Sequence, residues 1–150
     1  ALLFSLLTLT PMALACGGED DPEEFVYSSD SYFPEDYETS YQALSEYDCT
    51  QSATHGNDYV RVYISEEAEP AYAEMPMEAG EGAVMVKPQY SDSSCETLNA
   101  ITVMRKDADA TDGWEWQRVS ASGDVEFSGE ASQCSGCHSM MCDSFTCADE

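Results

Sequence analysis

Positive charge is what this 150-residue sequence has least of: Arg61, Lys87, Arg105, Lys106 and Arg118 stand against 30 acidic residues, for a formal net charge of -25. A surface of that sign repels phosphate backbones and anionic lipid heads, which excludes nucleic acid as a partner and leaves the membrane only through a covalent anchor. It favours solubility and a basic partner protein, and it carries no information about fold. Also missing is an apolar run long enough to cross a bilayer, since the uncharged stretch from Ala1 to Ala15 is too short for a mature spanning helix. No internal repeat and no second domain boundary are visible, and the length suits one domain with one core.

The stretch 1–15 reads instead as the core of a signal peptide; neither Met nor a positively charged segment precedes it, so the expectation is a leader truncated at its N-terminus. Ala13-Leu14-Ala15 before Cys16 resembles a bacterial lipobox. The expected processing is cleavage after Ala15, with lipidation of Cys16, in a lipoprotein exported to the periplasm or cell envelope. Residues 16–34 are rich in Asp, Glu, Gly, Ser and Pro and have little to bury, as in a lipid-anchored or free acidic tether. The folded domain is expected over 35–150.

Within it, Tyr37, Tyr41 and Leu44 at helical spacing predict a short amphipathic helix over 35–47. The run 59–64 (YVRVYI) predicts one strand, and Ser65-Glu66-Glu67 a short or irregular helix with Pro70 inside it. Further strands are expected at 83–87, terminated or placed at an edge by Pro88, and at 101–106, 114–119 and 125–127. The fold class is therefore α+β: an antiparallel sheet of about five short strands with helices at the two ends.

Seven cysteines are present. Cys134-Ser135-Gly136-Cys137-His138 has the spacing at which two thiols add to the vinyl groups of a haem while the next imidazole reaches the iron. Setting aside Cys134 and Cys137 for haem and Cys16 for lipid leaves Cys49, Cys95, Cys142 and Cys147, enough for two disulfides in any of three pairings. A thioredoxin-like pair would stand early in a βαβ unit, whereas only 13 residues follow Cys137. A disulfide-stapled zinc module using Cys134, Cys137, His138, Cys142 and Cys147 is the rival metal reading. Met140 and Met141 are too close to His138 to reach the far side of a haem, so the sixth iron position is filled from earlier in the chain or left open.

His55 to Ile64, Gly82 to Lys87, Ile101 to Lys106, Gly113 to Trp116 and Cys134 to His138 together resemble the cytochrome P460 family, over about residues 37 to 142. The resemblance implies one covalent haem c, thioethers at Cys134 and Cys137, and a five-coordinate iron with His138 as proximal ligand. It leaves a homodimer open. Members that oxidise hydroxylamine carry a lysine cross-linked to the haem edge, and the matching residue is Lys87, followed by Pro88 where the family usually has Glu. The resemblance thus implies either an oxidoreductase acting on hydroxylamine or a related small nitrogen compound, or a non-catalytic cytochrome for electron transfer or for binding nitric oxide and similar gases. Strand alternation puts Lys87 on a face with Met85, and Trp114 and Trp116 read as core or haem wall. His55, before a glycine turn, reads as a solvated cap or as a residue lining the distal side.

Overall fold

The computed structural model describes residues 31–73, 77–142 and 145–147. The expected leader, the lipidation site Cys16 and all of the tether except 31–34 lie outside the described residues. No helix among the described residues is long and apolar enough to cross a membrane.

β-Branched and aromatic residues recur through four successive segments, which form the regular part of the sheet: β5 (Val84–Tyr90), β6 (Leu98–Lys106), β7 (Trp114–Ser120) and β8 (Val125–Gly129). Each pairs antiparallel with the next, from Val84 opposite Arg105 to Val119 opposite Val125. Polar loops connect them, and at the β7–β8 turn Ser120 N–H donates to the Asp124 carbonyl (2.9 Å) around Gly123, whose φ of +91° suits a residue without Cβ. The sheet is completed by short pieces: β1 (Gln42–Ala43), β2 (Thr50–Gln51), β3 (Tyr59–Val60) and β4 (Tyr63–Ile64). The order is β1-β4-β5-β6-β7-β8, with β3 also on β5 and β2 on β3, and every pairing is antiparallel.

The architecture is thus α+β as expected, with eight short strands in place of about five. The predicted strand 59–64 is two. β3 pairs with Gln89 and Tyr90 of β5, β4 pairs with Met85 and Val86, and between them Arg61 N–H donates to the Pro88 carbonyl (3.3 Å). That break explains why Pro88 neither ends β5 nor lies at an edge. In an extended strand the nitrogen and carbonyl of one residue point to the same side, so the donor that Pro88 lacks falls where its partner strand is interrupted.

The predicted helix over 35–47 is also corrected. Only α1 (Tyr37–Ser40) is α-helical; Tyr41 turns to extended backbone, β1 then pairs with β4, Gln42 opposite Ile64, and Ser45–Tyr47 makes a 3₁₀ turn. One helical turn cannot sustain itself, and the sheet edge offers the backbone better partners. Tyr37 and Leu44, read as one helical stripe, pack on opposite faces of the sheet. After β4, residues 66–72 form a 3₁₀ helix containing Pro70, irregular as expected; the Ser65 hydroxyl accepts from Val84 N–H (3.1 Å) and makes no cap bond. The last helix among the described residues is α2 (Ser132–Met141), which carries the Cys-x-x-Cys-His motif.

Alternation divides the sheet into two faces. One buries Val84, Val86, Ile101, Val103 and Val119 under Tyr37 and Tyr63. Among the described residues, packing on this face already includes Tyr32, before residue 35: its N–H donates to the buried Gln117 Oε1 (3.1 Å), and the Arg105 guanidinium lies 4.0 Å from its ring centre. The other face carries Met85, Met104, Trp114 and Trp116 together with Leu44, Val62 and Ile64. Here lies the site.

Candidate functional site

A cavity of about 490 Å³ opens on the Met85 face of the sheet. Its floor is Met85 and Lys87 of β5, Thr102 and Met104 of β6, and Trp116 of β7. The placement of Met85 and Lys87 on this floor, with Val84 and Val86 in the opposite core, follows the alternation read from the sequence. One wall is α2, where positions three and four apart share a face, so that Cys134, Cys137 and His138 all reach the cavity. A second wall is the turn between β2 and β3, from Ser52 to His55.

His138 is half-buried, and its Nδ1 lies 2.8 Å from the Phe145 carbonyl. A carbonyl only accepts, so Nδ1 carries the proton and Nε2 keeps the lone pair that a metal needs. The Trp116 ring, centred 4.8 Å away at 64°, fixes the imidazole from the side. Burial lowers the His138 pKa, the bond to Phe145 opposes that, and the nearby Lys87 charge lowers it further.

The carbonyl that orients His138 is itself held. Tyr72 OH donates to the Thr146 carbonyl (2.6 Å) and Tyr47 OH to the Cys147 carbonyl (2.8 Å), Phe145 packs 6.4 Å from the Trp114 ring, and Cys142 is bonded to Cys147. Phe145 sits at φ +71°, an unfavourable conformation for a bulky residue that these contacts hold in place. Sequence reading found none of these tyrosine contacts, because their partners are backbone atoms about 75 to 100 positions away.

His55 is a wall residue as well, and half-buried, which settles the cap reading against solvation. Its turn is closed by Ser52 N–H to the Asp58 carbonyl (2.9 Å) and Asn57 N–H to the Ser52 carbonyl (3.0 Å), with Gly56 and Asn57 both at positive φ. His55 Nδ1 lies 2.9 Å from Ser52 Oγ and 3.1 Å from Thr54 Oγ1. The ring centre is 6.4 Å from that of His138, at 79°. Burial, then the charges of Lys87 and His138, push its pKa down to about 3, so the imidazole is neutral at ordinary pH.

Among the four remaining described cysteines the structure selects one of the three pairings. Cys49–Cys95 (Cα–Cα 5.8 Å) ties the segment before β2 to the β5–β6 loop, and Cys142–Cys147 closes the strap after α2. Cys134 and Cys137 stand outside both. His138, Cys142 and Cys147 do bring ligand atoms within 4.8 Å of one another. With both sulfurs in a disulfide, however, that set offers zinc no thiolate, and of the five donors of the zinc reading Cys134, Cys137 and His138 remain. Trp114 is core rather than cavity wall, and Met140 is 79% exposed.

The donor set facing the cavity is therefore two thiols and a lone-pair imidazole from one helix, which suits a covalently held haem. Trp116 adds a buried indole Nε1 that has no hydrogen-bond partner among the described residues, a place for an acceptor on whatever fills the cavity. A search of the curated proteins found no match to the chain. A family model described as cytochrome P460 matches residues 34–144, well over half the chain and the whole of the sheet together with the Cys-x-x-Cys-His helix. Sheet, helix and cavity are thus the parts of one family domain, and the chain belongs to the cytochrome P460 family.

Proposed function

We propose that the protein is an exported c-type haem protein that binds or oxidises a small nitrogen compound such as hydroxylamine or nitric oxide. The observation that carries this reading is the convergence of Cys134, Cys137 and His138 on a cavity of about 490 Å³ whose floor presents Lys87. Membership of the cytochrome P460 family supports the haem itself. In this reading Cys134 and Cys137 would hold the haem through thioether bonds, and His138 Nε2 would ligate its iron. The Phe145 carbonyl fixes the tautomer and direction of that imidazole. Met85, Met104 and Trp116 keep the floor apolar, and Lys87, which lines the same floor, is the candidate for a cross-link to the haem edge. A bound haem supplies the redox change and the ligand-binding metal; the protein supplies access, a dry wall and ligand strength.

A second reading, a non-catalytic electron-transfer cytochrome, is favoured by the net charge of -25, which suits docking to a basic redox partner. Export, a signal peptide over 1–15 and a lipid anchor at Cys16 belong to the proposal in either case. Absorption spectra of protein matured in a host that attaches haem c, oxidised and then reduced with dithionite, test it. A broad, red-shifted reduced Soret band, lost in Lys87→Ala, supports a cross-linked haem and the oxidoreductase. An ordinary c-type spectrum supports gas binding or electron transfer, and absence of covalent haem overturns the proposal.

A further inference from the structure

We infer that His55 Nε2 is the second axial ligand of the iron, so that the resting haem is held between two histidines and is six-coordinate. This rests on the haem reading above and deepens it, replacing the five-coordinate iron that the family resemblance implies. The primary observation is a distance. The His55 and His138 ring centres are 6.4 Å apart across the cavity. Metal–imidazole bonds are about 2 Å long and a ring nitrogen lies about 1 Å from the ring centre, so a metal between two imidazoles sets the centres roughly 6 Å apart. The angle of 79° between the planes is compatible, because each plane contains its own bond axis and the two rings rotate independently about it.

The second observation is the parallel wiring of the two rings. His138 Nδ1 is committed to the Phe145 carbonyl, and His55 Nδ1 meets the hydroxyls of Ser52 and Thr54, which accept its proton as readily as they donate their own; in the tautomer where His55 Nδ1 donates, both rings present an Nε2 lone pair to a metal. The third is position. His55 comes from the β2–β3 turn and His138 from α2, so the two rings reach one cavity from separate elements, as two ligands of one iron must. The turn bearing His55 is closed by backbone bonds and tied to the sheet through β2 and β3, which holds the ring in place before any iron arrives. The chain contains only these two histidines.

One functional consequence follows. A small nitrogen ligand has to displace His55 to reach the iron, so its binding is limited by the opening of the 52–58 turn, and the resting protein is built for electron transfer.

The test is the spin state of the matured holoprotein. Ferric wild type should be low-spin by absorption and electron paramagnetic resonance, with the near-infrared magnetic circular dichroism band of two imidazoles. His55→Ala should become high-spin and return to low-spin on addition of free imidazole. Wild type that is high-spin overturns the inference, and so does a His55→Ala variant that stays low-spin. A near-infrared band of imidazole plus amine also overturns it, pointing to Lys87 as the ligand. The wild-type measurement decides the matter by itself if His55→Ala fails to fold. Covalent haem is scored separately as the pyridine haemochrome: its absence sinks the haem reading, whereas its presence with a high-spin iron sinks the role of His55 alone.

Discussion

The two faces of the sheet are built from the same strands and do opposite things with their volume. On the Val84 and Val86 face, Tyr37 and Tyr63 stack edge to face 5.2 Å apart and close the core, and Tyr32 binds across it. On the Met85 and Lys87 face, α2 and the 52–58 turn stand off the floor and leave about 490 Å³. A face covered by a contiguous segment of chain can be filled by side chains alone. Where the cover is two separate walls, each held by its own hydrogen bonds, a cavity persists, and the groups around it are oriented by backbone partners rather than by packing.

The largest expected break in this comparison is chemical. Cys134→Ala with Cys137→Ala should abolish covalent haem, read as loss of haem stain on a denaturing gel. The circular dichroism of the sheet should be retained, because neither cysteine takes part in a disulfide or a strand. Next is packing. Ile101→Ala on the filled face should cost about 2–5 kcal/mol in denaturant unfolding and leave the haem spectrum unchanged. Met104→Ala, on the cavity floor, should cost less than Ile101→Ala and shift the Soret band, since part of its side chain fronts the cavity. Equal costs with an unmoved spectrum would erase the distinction between the faces.

A smaller effect sharpens the account of the oriented wall. Tyr72→Phe removes the hydroxyl that holds the Thr146 carbonyl and should cost about 1 kcal/mol. It should also shift the haem midpoint potential, because the neighbouring Phe145 carbonyl sets the basicity of His138. An unchanged potential would make the strap a structural feature only.

The smallest effect lies outside the cavity lining, in the β5–β6 loop that carries Cys95. The Ser94 hydroxyl, then the Thr97 and Glu96 amides, hold the Asp92 carboxyl well below the usual carboxylate range. A depressed folded pKa contributes stability that is present above the unfolded value of 3.8 and is lost as pH falls below it. Asp92→Asn should therefore lower the melting temperature at pH 7, with the gap to wild type closing as pH drops below about 3.8; a gap independent of pH would assign the loss to the loop hydrogen bonds alone.

Strands β5 to β8 were legible because alternation and β-branched composition are local signals. The split of 59–64 and the passage of β5 through Pro88 were not, since each makes sense only from the other: the missing donor of Pro88 meets the break between β3 and β4. Tyr37, Tyr41 and Leu44 misled for a related reason, a spacing near 3.6 being shared by one helical face and by a chain that turns from one side of a sheet to the other. His55 carried no local signal beyond a turn. Its place opposite His138 depends on residues more than 80 positions apart meeting across a cavity.

By itself the sequence determined the donor set: the spacing of Cys134, Cys137 and His138, the strand pattern that puts Lys87 with Met85, and an even number of cysteines left for disulfides. These follow from bond lengths and backbone periods, which need no distant partner. Only the tertiary structure decided which cysteines pair, which carbonyl fixes His138, and that a second imidazole faces the first at 6.4 Å. Those are contacts between segments remote in sequence, and they exist only once the sheet has fixed where its walls stand.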